Sequence, residues 1–576
     1  MPPLLGNLHQ PMRTETNWWR PAVIYQIYPR SFNDSDGDGV GDLNGVLERL
    51  DYVQSLGVDA IWLSPFYRSP MKDFGYDISD YFDVDPLFGS LEDFMVLLEQ
   101  AHARNLRVII DQVWSHTSDQ HPWFVESSKS RHNPHADWYV WRDPTPEEEP
   151  PSNWLSTFGG GAWSWEPQRG QYYLHHFLRE QPALNWRCES VQEQMLAVGR
   201  YWLELGVDGF RFDVINFLVA DEQCRDNPLR LPGMKLPDGG DAEMQFFRFI
   251  NIYNQNRPES REFVKRIRLL LDEFPGRTSL AEVSCAEDSI RDAAGYVDTP
   301  DKLHMAYNSS LMSEDPPSRA QLTTIITDVQ QHFGSGILCW TAGTHDFPRL
   351  ASRWHGSLID EHFRQEAFDH QIAALQISLH GSCCIYQGDE LGLHQADIPY
   401  ERMRDPFGLQ GYPHVLGRDG CRTPMPWTLD EPHSGFTTAE APWLPLPAEH
   451  RQLCVESQNL DPESLLNKYR RLIDWRRRQP ALWDGALTLQ PSEDPVLAFS
   501  RQSEDQMLLF VYNFSSQPVY CSLHDWPVCH QADELDFQVR QFEKTIELPG
   551  FGVFIGECES NPQNGGSAAC ARPGHG

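Results

Sequence analysis

The stretch Asp34-Ser-Asp36-Gly-Asp38-Gly-Val40-Gly-Asp42 sets an acid at nearly every second position with glycines between. Carboxylates spaced in this way, with glycines allowing a tight turn and the Val40 carbonyl in the row, can wrap a hard cation in oxygen, as the first half of an EF-hand loop does. The twelfth place, where an EF-hand carries a bidentate glutamate, is Gly45. The ligand set Asp34, Asp36, Asp38, Val40 and Asp42 is therefore expected to hold Ca²⁺ or Mg²⁺ in a structural role, the plain alternative being an acidic turn with no metal. A second group of acids, Asp111, Asp213, Glu282 and Asp346, falls at or just after the ends of four separate apolar runs. Gathered in one place, such carboxylates could do acid–base work.

The elements that would gather them are legible in the pattern. Short runs rich in Val, Ile and Tyr begin at Val23, Asp59, Arg107, Gly206, Thr278, Ile337 and Gly381, with HMAYNSS from His304 as a candidate eighth. Between them lie stretches such as LEDFMVLLEQAHARN and SVQEQMLAVGRYWLELG, whose apolar residues recur three and four apart. Strands thus alternate with helices over most of the chain, which predicts an α/β fold with a parallel (β/α)8 barrel. In such a barrel the carboxyl ends of the strands form one rim, and acids distant in sequence meet there.

Two intervals break the rhythm. Residues 112–185, rich in Trp, Pro, His and Gly, read as a domain inserted after the third strand, and 388–438 as a loop subdomain after the last. The expected organisation is a barrel over 18–111 and 186–490, the insertion at 112–185, a C-terminal β-domain at 491–557 and a disordered tail at 558–576. The tryptophans of the insertion, among them Trp154, Trp163 and Trp165, could stack on a ligand, but core packing is the expected role.

The 576 residues carry 47 Lys and Arg against 82 Asp and Glu, a formal charge of −35. Such a field repels phosphate backbones and anionic lipid surfaces, so neither nucleic acid nor membrane is an expected partner. The N-terminal residues lack a basic segment followed by an apolar core, and a soluble, cytoplasmic protein is expected. Twelve cysteines occur without a CxxC pair, which predicts free buried thiols, no thiolate zinc site and no oxidising compartment.

The acidic loop, together with GFRFDVIN (209–216), AEVS (281–284), THD (344–346), QGDE (387–390) and RTPMPW (422–427), resembles glycoside hydrolase family 13, and within it the α-glucosidase and oligo-1,6-glucosidase group. The resemblance runs in order from about Trp18 to Gly556. It implies a (β/α)8 barrel, a domain inserted after strand three and a C-terminal antiparallel β-sandwich, in agreement with the reading above. It also implies roles: Asp213 the nucleophile, Glu282 the general acid/base and Asp346 the carboxylate that binds sugar hydroxyls. A glycosidic bond breaks through an oxocarbenium-like state, which needs an anion on one face and a proton donor at the leaving oxygen, and retention is the outcome when the two carboxyls are close. Arg211, two residues before Asp213 on a strand, points to the same face and is expected to keep the nucleophile ionised. Glu282 is expected to need a raised pKa.

By the same resemblance the nonreducing-end sugar is bound by Asp73 and Tyr76 in DFGYD, His116, His345, and Phe158, Phe177 and Gln181 of the insertion. Arg418 is expected to close the outer end of the pocket, with Arg422 the competing choice. Each has a structural alternative as a satisfied core or surface residue. Ala183, Thr344, Ser115 and Ala281 depart from the family pattern, the first two where fine positioning would suffer. Val214, directly after the nucleophile, resembles the residue of α-1,6-specific members, whereas RDGCRTPMPW resembles α-1,4-preferring ones. The implied substrate is a short oligosaccharide or disaccharide, with no organic cofactor and with monomer or homodimer left open. The alternatives are a maltose-preferring, sucrose-hydrolysing or glucosyl-transferring member, and a catalytically silent scaffold.

Overall fold

The structure, a computed structural model, describes residues 16–355, 365–524, 526–559 and 570–571. Eight parallel strands close into a barrel in which each neighbour in sequence is a neighbour in space. They are β1 (Val23–Ile27), β2 (Ala60–Leu63), β3 (Arg107–Gln112), β4 (Gly209–Phe212), β5 (Thr278–Val283), β6 (Met305–Asn308), β7 (Ile337–Thr341) and β8 (Ser382–Tyr386). Every one lies in a run read as a strand from sequence. Nearly all their residues are buried, which is why the runs read as continuously apolar rather than alternating.

Helices cover the outside. In α1 (Leu91–Ala103) the Ser90 hydroxyl and the Asp93 carboxylate cap each other's backbone N–H groups, and in α2 (Glu189–Leu205) Val191, Met195, Val198 and Trp202 form the buried stripe before Gly206, at φ +109°, ends the helix. Further helices, α3 (Arg319–His332) and α4 (Gln365–Ser378), follow β6 and β7.

The register of β4 places the site. Arg211 sits beside Asp111 of β3 on one side and Leu280 of β5 on the other, and two residues further along β5 Glu282 pairs with Tyr307 of β6. The close approach of β4 to β5 requires a residue without a side chain at its start. A Cβ on Gly209 would lie 2.6 Å from the Thr278 carbonyl oxygen.

Between β3 and β4 the chain leaves the barrel and builds a three-stranded sheet from Trp141–Arg142, Trp163–Glu166 and Gln171–Leu174, with the last strand in the centre. Trp154 and Trp163 stack at 5.6 Å in its small core, while Trp165 is exposed. After the barrel, a five-stranded and a four-stranded antiparallel sheet pack face to face. Alternation along Val496–Gln502 decides the layers: Val496 and Ala498 point into the sandwich core, Leu497 and Phe499 toward the barrel.

Two expectations are corrected. Cys529 and Cys558 are joined in a disulfide rather than free, because the register sets them directly opposite each other on adjacent antiparallel strands. Spacing in sequence, 29 residues, gave no sign of it. The expected disordered tail begins too early, since Cys558 ends a strand and Cys570–Ala571 pair with Tyr520–Cys521. The remainder of that stretch, 560–569 and 572–576, lies outside the described residues. No helix among the described residues is long and apolar enough to cross a membrane.

Candidate active site

At the carboxyl ends of the strands one guanidinium organises the acids. Arg211, fully buried, donates from Nη1 to Asp213 Oδ1 at 2.8 Å and to Asp111 Oδ1 at 2.6 Å, and from Nη2 to Glu282 Oε2 and to the Tyr307 hydroxyl. Asp213 and Glu282 are therefore held by the two terminal nitrogens of one planar group. Glu282 is fixed from two more directions. The Val214 N–H donates to its Oε2 at 3.0 Å and the Ser284 hydroxyl to its Oε1 at 2.6 Å. The first of these bonds comes with strain: Val214 has φ +35° and ψ +50°, a left-handed conformation costly for a β-branched residue.

Asp346 stands on the loop after β7. Arg422 Nη2 donates to its Oδ1 at 2.8 Å, Arg418 Nη1 reaches the same oxygen at 3.3 Å, and its own N–H bonds the Thr344 hydroxyl at 3.2 Å. Arg418 also grips Asp73 Oδ1 and Asp405 Oδ1, each at 2.7 Å. The two arginines that sequence offered as rivals thus both reach Asp346, four residues apart across a single 3-10 turn.

Burial and charge divide these acids. Burial pushes the Asp213 carboxyl well above the usual range, with Glu282, Asp111 and Asp346 adding repulsion that Arg211 only partly offsets. Asp111 is raised to about 6, again by burial. Arg211 pulls the Asp213 carboxyl down, against burial and the neighbouring acids. Asp346 goes the other way. Burial alone would raise it, but the Arg422 and Arg418 guanidiniums and the nearby His345 ring hold it below the ordinary carboxylate range.

These groups open on a cavity of about 1160 Å³, lined near its floor by Asp73, Tyr76, His116, Asp213, Glu282 and Asp346. Phe158, Phe177 and Gln181 of the insertion, with Arg418, complete the inner wall. Gln181 Nε2 donates to Asp73 Oδ2 at 3.1 Å, and His116 donates from Nε2 to the Tyr76 carbonyl at 3.0 Å while Ser115 bonds its Nδ1 at 2.8 Å. Burial holds His116 neutral, its pKa lowered to about 4. Phe158 lies between Phe177 and Phe407, with the Arg418 guanidinium 4.8 Å from its ring centre.

Two residues expected to touch a ligand do not line the cavity. Arg211 and His345 are fully buried one layer behind it. His345 stacks on Tyr28 and Tyr76, each at 5.4 Å; Gln26 donates to its Nδ1, and its Nε2 meets the Tyr76 hydroxyl, both at 2.7 Å. That hydroxyl in turn donates to Asp111 Oδ2 at 3.1 Å.

Sequence reasoning missed Tyr307, Ser284, Asp405 and Phe407, and listed Asp111 only as a strand-end acid. Ser284 and Tyr307 follow from register and were within reach. Asp405 and Phe407 were not, because only the path of the 388–438 excursion brings them back to the pocket.

In the acidic loop, Asp34, Asp36 and Asp42 each turn an oxygen to within 4.8 Å of the others. Asp38 lies outside that group, with its carboxylate bonded to the Val40 N–H at 2.7 Å, since Gly37 and Gly39, at φ +81° and +96°, turn it outward. The three grouped carboxylates fit a hard cation, although Asp34 and Asp42 already accept backbone N–H groups from Gly37, Gly39, Ser35 and Gly45.

Residues 26–485 match the family described as alpha amylase, catalytic domain, and residues 487–555 the maltogenic amylase C-terminal domain. The chain is 46% identical over 547 residues to a probable alpha-glucosidase of Rhizobium meliloti (strain 1021), covering 94% of this chain and 98% of that one. It is 35% identical to the oligo-1,6-glucosidase of Heyndrickxia coagulans, covering 88% and 93%. A crystal structure described as an alpha-glucosyl transfer enzyme superposes with a TM-score of 0.90 at 46% identity, covering 94% of this chain and all of that one.

Proposed function

From the premise that this chain belongs to the alpha-amylase family, glycoside hydrolase family 13, we propose that it is a retaining, exo-acting α-glucosidase that releases glucose from the nonreducing end of short α-glucosides. The observation that carries the reading is the bridge from Arg211 to both Asp213 and Glu282. It holds two carboxyls close enough for one to attack the anomeric carbon while the other serves the leaving oxygen.

In this reading Asp213 forms a bond to the anomeric carbon as the glycosidic bond breaks. Glu282, as general acid, gives its proton to the leaving oxygen. Glu282, now a carboxylate, takes a proton from water, which attacks the same carbon and expels Asp213. Two displacements leave the product with the α-configuration of the substrate. Asp346, kept ionised by its arginines, accepts hydrogen bonds from sugar hydroxyls and stabilises positive charge on the ring.

The knot in which Arg418 ties Asp73 to Asp405 at one end of the pocket supports recognition of a terminal sugar rather than of a long chain. Asp34, Asp36 and Asp42 would hold Ca²⁺ or Mg²⁺, which would brace the loop after β1 against the 437–441 segment that packs on it. Val214 faces the cavity beside Asp213, and its bulk at the reacting bond favours α-1,6 linkages of isomaltose type.

Initial rates on isomaltose, maltose, sucrose and trehalose, with Asp213→Asn as the control and the product anomer read by NMR, test the proposal. Isomaltose ahead by about tenfold with α-glucose formed first is the expected result. Maltose or sucrose ahead would overturn the linkage reading alone, β-glucose the retaining mechanism, and inertness on all four the glucosidase itself. Glucosyl transfer is the second reading. It is favoured by the apolar outer wall of Leu236, Phe247, Ile290 and Met312, where an acceptor hydroxyl could displace water.

A further inference from the structure

The cavity is larger than one pyranose needs, and its outer part is built by three successive crossovers: the loop after β4 at 235–241, the loop after β5 at 284–290, and the segment after β6 that runs into α3. The charges on these walls are one-sided. Asp238, Glu287 and Asp288 are paired, with Lys235 at 3.0 Å, Arg230 at 2.6 Å and Arg291 at 3.5 Å. Asp241, Glu314, Asp315 and Asp328 have no basic partner among the described residues.

The cations nearby are already spent. Lys235, 86% exposed, sits against Asp238. Arg353 is buried and donates to the carbonyls of Leu311, Ser313 and Ala342, and Arg418 is held by three carboxylates. A concave wall with net negative charge, its acids set among the apolar Leu236, Phe247, Ile290 and Met312, focuses its field on whatever occupies the space.

Resting on the reading of the inner site as a glucosidase, we propose that this outer chamber selects the leaving group, or the acceptor in glucosyl transfer, by charge. Uncharged and cationic moieties are admitted, and phosphorylated, sulfonated or carboxylated ones are rejected. Asp241, Glu314, Asp315 and Asp328 set the selection. Asp241 comes from the crossover after β4 and Glu314, Asp315 and Asp328 from the one after β6, so no short motif marks the set.

The test uses a matched pair of aryl α-glucosides, 4-(trimethylammoniomethyl)phenyl and 4-(sulfomethyl)phenyl, whose methylene spacers keep the two phenols similar as leaving groups. At low ionic strength kcat/KM is expected to favour the cation by about tenfold or more, and the preference to fall toward unity at about 1 M salt, where the screening length is about 3 Å. In the Glu314→Gln, Asp315→Asn, Asp328→Asn triple variant the low-salt ratio is expected to drop several-fold. Taking the ratio within each enzyme cancels any general loss.

The same pair is titrated calorimetrically into Asp213→Asn, so charge selection is read even if neither glucoside is cleaved. A tenfold affinity ratio without turnover by the wild type would overturn the glucosidase reading and keep this one. Equal affinities, or a ratio the triple variant leaves as it was, would overturn this one whatever the turnover.

Discussion

Asp213 and Glu282 share one guanidinium, so their roles must be separated by chemistry rather than by position. Removing the nucleophile leaves a gap on one face of the anomeric carbon, and a small anion can fill it. Asp213→Ala given azide and an activated α-glucoside is expected to form β-glucosyl azide by a single displacement. Glu282→Ala still forms the glucosyl-enzyme when the leaving group needs no proton, and azide attacking that intermediate should give α-glucosyl azide. NMR of the products decides, and identical anomers from both variants would refute the assignment. The departures Thr344 and Ser115 are explained at this scale, because each supplies a hydroxyl that fixes its neighbour, the Asp346 N–H and the His116 Nδ1. Ala183 is a different case: it packs in the small core of the insertion, and its backbone bridges to His116.

At the scale of elements, the site depends on the offset between β4 and β5. Gly209→Ala drives a methyl into the Thr278 carbonyl, and one strand must slide. The expected cost is about 1–3 kcal/mol in denaturant unfolding. A loss of kcat should accompany it, since any slide moves Arg211 relative to Glu282. Wild-type kcat with full stability would show that the barrel absorbs the shift elsewhere. The fold of this region was legible because each strand is a short, mostly apolar run buried on both faces. The insertion was legible as an interruption, but not as a sheet, because its strands are two to four residues long and their composition reads as loop.

The whole molecule stores a pH dependence in its buried rings. Burial lowers His116, His175, His380 and His450 to about 4, and His121, His176, His304 and His370 to about 3, against 6.5 in an unfolded chain. The unfolded state therefore binds more protons at these positions, and the stability they confer, complete above pH 6.5, is lost as pH falls toward 4. Asp77 and Asp111 at about 6 and Asp389 at about 7 act in the opposite sense, their contribution being lost as pH rises from about 4 to 7. Eight rings outweigh these three carboxyls and Asp213, which is raised in the same sense, so unfolding free energy should fall steadily as pH is lowered from 6.5 to 4.5. His304→Gln, outside the pocket lining and with its ring bonded to the Ser279 hydroxyl in the barrel wall, should reduce that slope by about one proton. A flat profile, or one rising toward acid, would contradict the accounting.

The sequence alone determined the barrel, its order and the acids at its rim, because burial on both faces and the strand-to-helix alternation are local properties of composition and period. The candidate pocket residues Asp73, Tyr76 and His116 were reached through the resemblance of their motifs to the family's, not through period or composition. What only the tertiary structure decided is whatever depends on pairing between distant segments. The bridge of Arg211 to four partners, the recruitment of Asp405 and Phe407, the withdrawal of His345 behind Tyr76 and the acidic outer chamber each join residues from separate crossovers. Their separations in sequence, up to 108 residues for Gln181 and Asp73 and 345 for Arg418 and Asp73, carry no periodic signal, and only closure of the barrel brings them within hydrogen-bonding distance.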